Sequence, residues 1–115
     1  MMKTSDLPIY RVTYQLLERI TKYARNFPRD MKLSLAGRLQ QECVELVLNV
    51  YRANAARQAR AQYIGVVLER VQVVELLVRL CRDLHLISTA QYATVVELTD
   101  QIGRQAQGWR KASRT

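Results

Sequence analysis

Residues 61–86, AQYIGVVLERVQVVELLVRLCRDLHL, decide the fold. As a helix they place Ile64, Val67, Val71, Val74, Val78 and Cys81 at alternating steps of three and four, which is one complete apolar seam. A second seam, Tyr63, Val66, Val73, Leu77, Leu80 and Leu84, keeps the same rhythm beside it and is broken only by Arg70. The polar remainder is narrow: Gln62, Glu69, Gln72, Arg79 and Asp83. A helix resting on one small core carries a single stripe about 100° wide. This helix must therefore bury surface on two sides, and the candidates are its own bundle and another subunit. The second seam is accordingly read as oligomer face or core.

Working outward toward the C-terminus, Ser88-Thr89-Ala90-Gln91 fits a capping box, in which Ser88 satisfies the N3 amide and Gln91 reaches back. Ile87 and Tyr92 add a hydrophobic staple. A further helix then carries Tyr92, Val95, Thr99, Ile102, Ala106 and Trp109 on one stripe. Gly103 and Gly108 interrupt it at about 1 kcal/mol each relative to alanine, which suggests close backbone packing or fraying.

Toward the N-terminus, Ala36, Leu39, Cys43, Leu46, Val50 and Ala53 form the stripe of a second helix, widened by Val47, Leu48 and Tyr51. The connection to the long helix is placed near Asn54 to Arg57, because asparagine tolerates left-handed backbone; the two helices could equally run closer together. In the first helix, Asp6 is the candidate N-cap and Pro8 falls in the first turn. Its stripe, Ile9, Val12, Leu16, Ile20 and Tyr23, reaches Phe27 and is stopped by Pro28. Phe27 is expected in the turn with its ring toward the core, and Asp30 is expected to cap the next helix. The expected organisation is one domain, residues 1–115, with helices at about 7–26, 31–54, 58–86 and 89–111. The expected fold class is all-α, an up-down-up-down antiparallel four-helix bundle.

Lys and Arg number 18 against 10 Asp and Glu, a formal charge of +8, and the pI is about 10.0. That balance favours an acidic partner such as nucleic acid. The cations are mostly arginine, whose planar fork suits phosphate and protein ion pairs alike. No N-terminal apolar h-region and no uninterrupted apolar run of about 18 residues is present, so a signal peptide and a membrane span are not expected and the cytoplasm is the expected location.

The inventory of reactive groups points away from an enzyme. Cys43 and Cys81 lie on apolar faces and read as buried thiols. His85, the only histidine, has neither a second ligand nor a nucleophile nearby, and a two-metal bundle would need a glutamate three residues before it. No phosphate-cradling glycine loop, nucleophile elbow or paired acid occurs. No catalytic residue, metal or cofactor is therefore expected. Glu42, Glu69 and Glu75 read as ion-pair partners, Glu75 with Arg79 four residues on. Tyr14, Tyr23, Tyr51, Tyr63 and Tyr92 lie on or beside apolar stripes and read as packing residues rather than base-stacking platforms; Tyr10 is uncommitted.

The topology sorts the cations by end. The turn between the second and third helices shares an end with both termini, which brings Arg52, Arg57 and Arg60 near Lys3, Arg110, Lys111 and Arg114. These seven are the candidate nucleic-acid or partner-binding residues. The opposite end collects a secondary patch, Lys22, Arg25, Arg29, Lys32 and Arg82, diluted by Asp30 and Asp83.

Several segments carry a family resemblance. Phe27-Pro28-Arg29, Leu35-Ala36-Gly37-Arg38-Leu39 and Tyr51-Arg52-Ala53-Asn54 resemble the first half of the Avd-like four-helix-bundle family. Leu80 through Ser88, Gln91-Tyr92, Gln101-Ile102-Gly103-Arg104 and Gly108-Trp109 resemble its third-helix end and fourth helix, so the similarity covers nearly the whole chain. Proteins encoded in 23S rRNA intervening sequences are more distantly similar. The resemblance implies an accessory variability determinant of a diversity-generating retroelement. Such proteins form homopentamers with positive surfaces, bind the element's reverse transcriptase together with its template RNA and cDNA, and support mutagenic cDNA synthesis. The alternative is a structural homo-oligomer that docks a protein through its arginines and binds no nucleic acid.

Overall fold

The computed structural model describes residues 3–113, which form four long helices and no strand. α1 is Pro8–Ala24. α2 continues through an α-turn Arg29–Met31, a π-helical segment Lys32–Ala36 and the α-helix Gly37–Ala55, with right-handed backbone at each junction. α3 is Arg60–Asp83 and α4 is Thr89–Ala112. Each of α1 and α3 packs against both α2 and α4, the ring adjacency of an up-down-up-down antiparallel bundle. The bundle measures 46 × 22 × 21 Å. At 1.5 Å per residue the 24 residues of α3 span about 36 Å, most of the long axis.

The first seam of α3 is the core: Ile64, Val67, Val71, Val74, Val78 and Cys81 are all buried, against Leu16, Leu39, Leu46, Val50 and Ile102. The second seam divides. Tyr63, Val66, Val73 and Leu77 are half-buried, whereas Leu80 and Leu84 remain 43% and 46% exposed. Leu76, which belongs to neither seam, is 66% exposed. Leu76 and Leu80 on α3 and Leu84 at its C-cap, at steps of four, therefore form an exposed apolar line. Tyr14, Leu48 and Tyr51 are also exposed; Tyr14 stacks on Tyr10, which packs on the core, with ring centroids 6.3 Å apart.

The helix ends differ from expectation in instructive ways. Pro8 does occupy the first turn, but the N-cap is Leu7, because Asp6 lies in a 3-10 turn, Thr4–Asp6. α1 stops at Ala24, two residues early, where the amides of Arg25, Asn26 and Phe27 tighten onto the carbonyls three residues back. Phe27 is buried in the turn as expected. Pro28, not Asp30, is the N-cap residue of α2, which starts at Arg29 rather than 31.

Asn54 is helical rather than left-handed, and its Nδ2 donates to Thr4 Oγ1 at 3.1 Å, tying the entry turn to α2. The α2–α3 connection is 56–59, so α3 begins two residues later than expected. α3 ends at Asp83 instead of 86, in a Schellman motif: Leu86 N–H donates to Cys81 O at 2.8 Å and His85 N–H to Arg82 O at 3.0 Å. His85 supplies the left-handed residue, at φ 60°. The capping box of α4 forms in full, Gln91 N–H donating to Ser88 Oγ at 3.0 Å and Ser88 N–H to Gln91 Oε1 at 2.9 Å. α4 runs on to Ala112, and no atom lies within 4 Å of an added Cβ at Gly103 or Gly108. Neither close packing within the subunit nor fraying accounts for these glycines.

Candidate nucleic-acid interface

The bundle brings the α2–α3 turn and the start of α1 to one end, fixed by the Asn54–Thr4 hydrogen bond. The cations expected there do different jobs. Arg60 closes the turn, donating from Nε to Ala53 O at 2.8 Å and from Nη2 to Asn54 O at 3.3 Å. These bonds satisfy terminal carbonyls of α2, and the same guanidinium lies 5.6 Å from the Trp109 ring centroid. Arg52 pairs with Glu45 at 3.6 Å. Arg110 donates to Gln107 Oε1 at 2.9 Å. The side chains of Lys3, Arg57 and Lys111 are exposed and have no partner among the described residues. Arg114 lies outside the described residues.

At the opposite end Lys22, Arg25, Arg29 and Lys32 are exposed without partners among the described residues. Arg82 is engaged twice: its guanidinium sits 4.4 Å from the Tyr92 ring centroid, and it donates to Asp83 Oδ1 at 3.2 and 3.3 Å. Asp83 is therefore tied up by Arg82; Asp30 is exposed among the four free cations, and the exposed Glu18 and Glu97 line a pocket with Lys22.

Of the three glutamates read as ion-pair partners, only Glu42 is paired among the described residues; Glu69 and Glu75 depart from the expectation. Glu42 is buried and held by Arg38 and Arg70. Glu75 makes no ion pair with Arg79; it faces α4, where Thr99 Oγ1 donates to Oε2 at 3.4 Å. It lines an open groove of about 750 Å³ between α3 and α4 together with Glu69, Asp100 and Arg104. Burial, then the nearby Asp100, pushes the Glu75 carboxyl above its ordinary range, and the Thr99 hydrogen bond partly opposes them. The sequence pairing failed because helix spacing permits a contact without requiring one.

Both thiols are buried, and burial pushes Cys43 up to about 12, with Glu42 adding to it, and Cys81 up to about 11. Among the described residues no three His, Cys, Asp or Glu side chains gather to hold a metal ion, and no helix is long and apolar enough to cross a membrane. What the ends offer chemically is exposed cations on helix ends and the turns between them, suited to phosphate or carboxylate groups.

Compared with known families, the chain matches the model described as bAvd-like over residues 8–113. No curated protein matches it significantly.

Proposed function

The chain belongs to the bAvd-like family, and on that premise we propose that it is a non-catalytic accessory subunit of a diversity-generating retroelement, working in the cytoplasm. In this reading it binds the element's reverse transcriptase and its template RNA and cDNA, and supports mutagenic cDNA synthesis. The family match, which spans all four helices, carries the proposal. The net charge of +8 and the unpartnered cations at both ends support the nucleic-acid contact.

The same reading makes the protein a homo-oligomer, a pentamer by resemblance to the family. Its support is the apolar line Leu76, Leu80 and Leu84, which an isolated bundle leaves in water. Leu80→Glu places a charge on that line without entering the core. Light scattering coupled to gel filtration should give an assembly for the natural chain and a smaller species for this variant.

The deciding experiment is co-purification with the reverse transcriptase of the proposed element, followed by cDNA synthesis on the template RNA with and without this chain. Synthesis that depends on the chain is the expected result. Undiminished synthesis in its absence would refute the accessory role. Complex formation without any affinity for RNA or DNA would leave a purely protein-docking oligomer.

A further inference from the structure

Gly108 joins two small pockets near the C-terminal end of α4. The first, about 300 Å³, is walled by Leu7, Pro8, Ile9 and Trp109, with Gln105 the one amide side chain in its lining. The second, about 270 Å³, is lined by Gln107, Arg110 and Lys111. Gly108 belongs to both, and an added Cβ there would meet nothing within 4 Å, so the saddle between an apolar pocket and a basic one is open.

Two further details define what fits. The Gln105 side-chain oxygen Oε1 is buried with no hydrogen-bond partner among the described residues, so it is an acceptor that a ligand N–H would satisfy once the amide turns toward the pocket. Arg60 lies over the Trp109 ring, holding the indole that forms the apolar wall. A ligand matching both halves has a flat, largely apolar body with N–H groups on its edge, joined through a short link to an anion. Every nucleobase has a π-face and carries or flanks hydrogen-bonding edge groups, and its phosphate is one sugar away. An acidic peptide offers an apolar side chain and carboxylates, but the free Lys3 and Arg57 at the same end extend the positive surface beyond the pocket, as a polyanion requires.

We propose that this bipartite site takes one unstacked base of a single-stranded nucleic acid. The base lies against Trp109 in the apolar pocket, an edge N–H donates to Gln105 Oε1, and the neighbouring phosphate meets Arg110 and Lys111. The site rests on the nucleic-acid reading above and adds to it a preference for single strands.

Trp109 is the only tryptophan, so indole emission excited at wavelengths beyond tyrosine absorption comes from this pocket's wall. The full chain is titrated with a short single-stranded oligonucleotide, the same strand with abasic sites, and its duplex, following binding by anisotropy of labelled strands and indole emission with unlabelled ones. The single strand should bind and quench Trp109, while the abasic strand and the duplex leave the emission unchanged. Gly108→Leu, which fills the open saddle, should weaken single-strand binding roughly tenfold while leaving duplex binding in place. Gln105→Met, which keeps the volume and removes the acceptor, should weaken it to a smaller extent. Binding by Gly108→Leu and Gln105→Met at natural affinity, with Trp109 emission unmoved in the natural chain, would overturn the base site and leave the nucleic-acid reading standing. No binding of any strand would overturn both. An emission change with a phenylalanine-containing acidic peptide but not with the oligonucleotide would overturn the proposal in favour of a protein side chain.

Discussion

Arg70 holds Glu42 through a single nitrogen, Nη1, which lies 3.0 Å from each carboxylate oxygen and bridges α3 to α2. The pair explains why arginine interrupts the second seam of α3. Glu42 is only 3% exposed, and a carboxylate taken that far from water needs donors from more than one direction. Arg38 supplies the other, from Nε at 3.1 Å, within the same helix.

Arg70→Leu should therefore destabilise the fold by about 2 kcal/mol, because it leaves the buried carboxylate with one solvent-exposed partner. Combining it with Glu42→Leu should recover most of the loss, since the uncompensated charge is then gone. A double-mutant cycle by urea unfolding measures the coupling. Additive losses would mean that the pair contributes nothing specific.

Glu75 makes the acid response of the fold predictable in sign. Its carboxyl is raised by burial and by Asp100, so the folded state holds that proton more tightly than the unfolded chain. The resulting stabilisation is fully present below the ordinary glutamate value of 4.5 and is lost as pH rises through the raised folded value. Glu75→Gln cannot titrate and can still accept from Thr99. It should therefore be more stable than the natural chain at neutral pH, with that advantage shrinking as the pH falls through the raised folded value and gone below the ordinary glutamate value of 4.5. A pH series of urea midpoints tests this.

Sequence legibility followed the range of the interactions. The capping box at Ser88, the first-turn Pro8 and the buried Phe27 are set by neighbours within a few residues, and each stands where expected. The core seams were readable because burial repeats with the helix. The turn at 56–59 was not, since no glycine or proline marks it and its closure depends on Arg60 reaching back seven residues to Ala53. His85 could not be recognised as a left-handed residue from its type, which is less common there than glycine or asparagine. The roles of the basic residues were the least legible. Arg57 and Arg60 look alike in sequence, yet one is exposed without a partner and the other caps a helix and covers an indole.

The glycines of α3 and α4 give a third prediction. Gly65 and Gly103 have no atom within 4 Å of an added Cβ, and both lie inside helices. Alanine at either position should stabilise the fold by about 0.5–1 kcal/mol through backbone entropy alone. Thermal unfolding checks the gain, and light scattering on the same samples checks assembly. A loss of stability together with a smaller assembly would show that a neighbouring subunit's surface fills that space.

The last prediction concerns which end carries the phosphate contacts, and the structure changes how it is tested. Replacing Arg60 removes the cap of α2 and the cover of Trp109, and replacing Arg52 frees Glu45, so neither variant isolates binding from folding. Lys3, Arg57 and Lys111 have exposed side chains with no described partner and can be changed to glutamate without breaking an observed contact. With the base pocket at this end, the triple variant should bind unrelated single-stranded sequences more weakly throughout. If all three touch phosphate, the salt dependence of log K should flatten by about 2, from roughly 0.7 per lost contact. The matching variant at the other end, with Lys22, Arg25, Arg29 and Lys32 changed to glutamate, should lose less affinity for the isolated strand. Anisotropy titrations across a salt series, on variants that keep the natural helix content and assembly, measure both slopes. A natural slope in the first variant and a flattened one in the second would move the interface to the α1–α2 end.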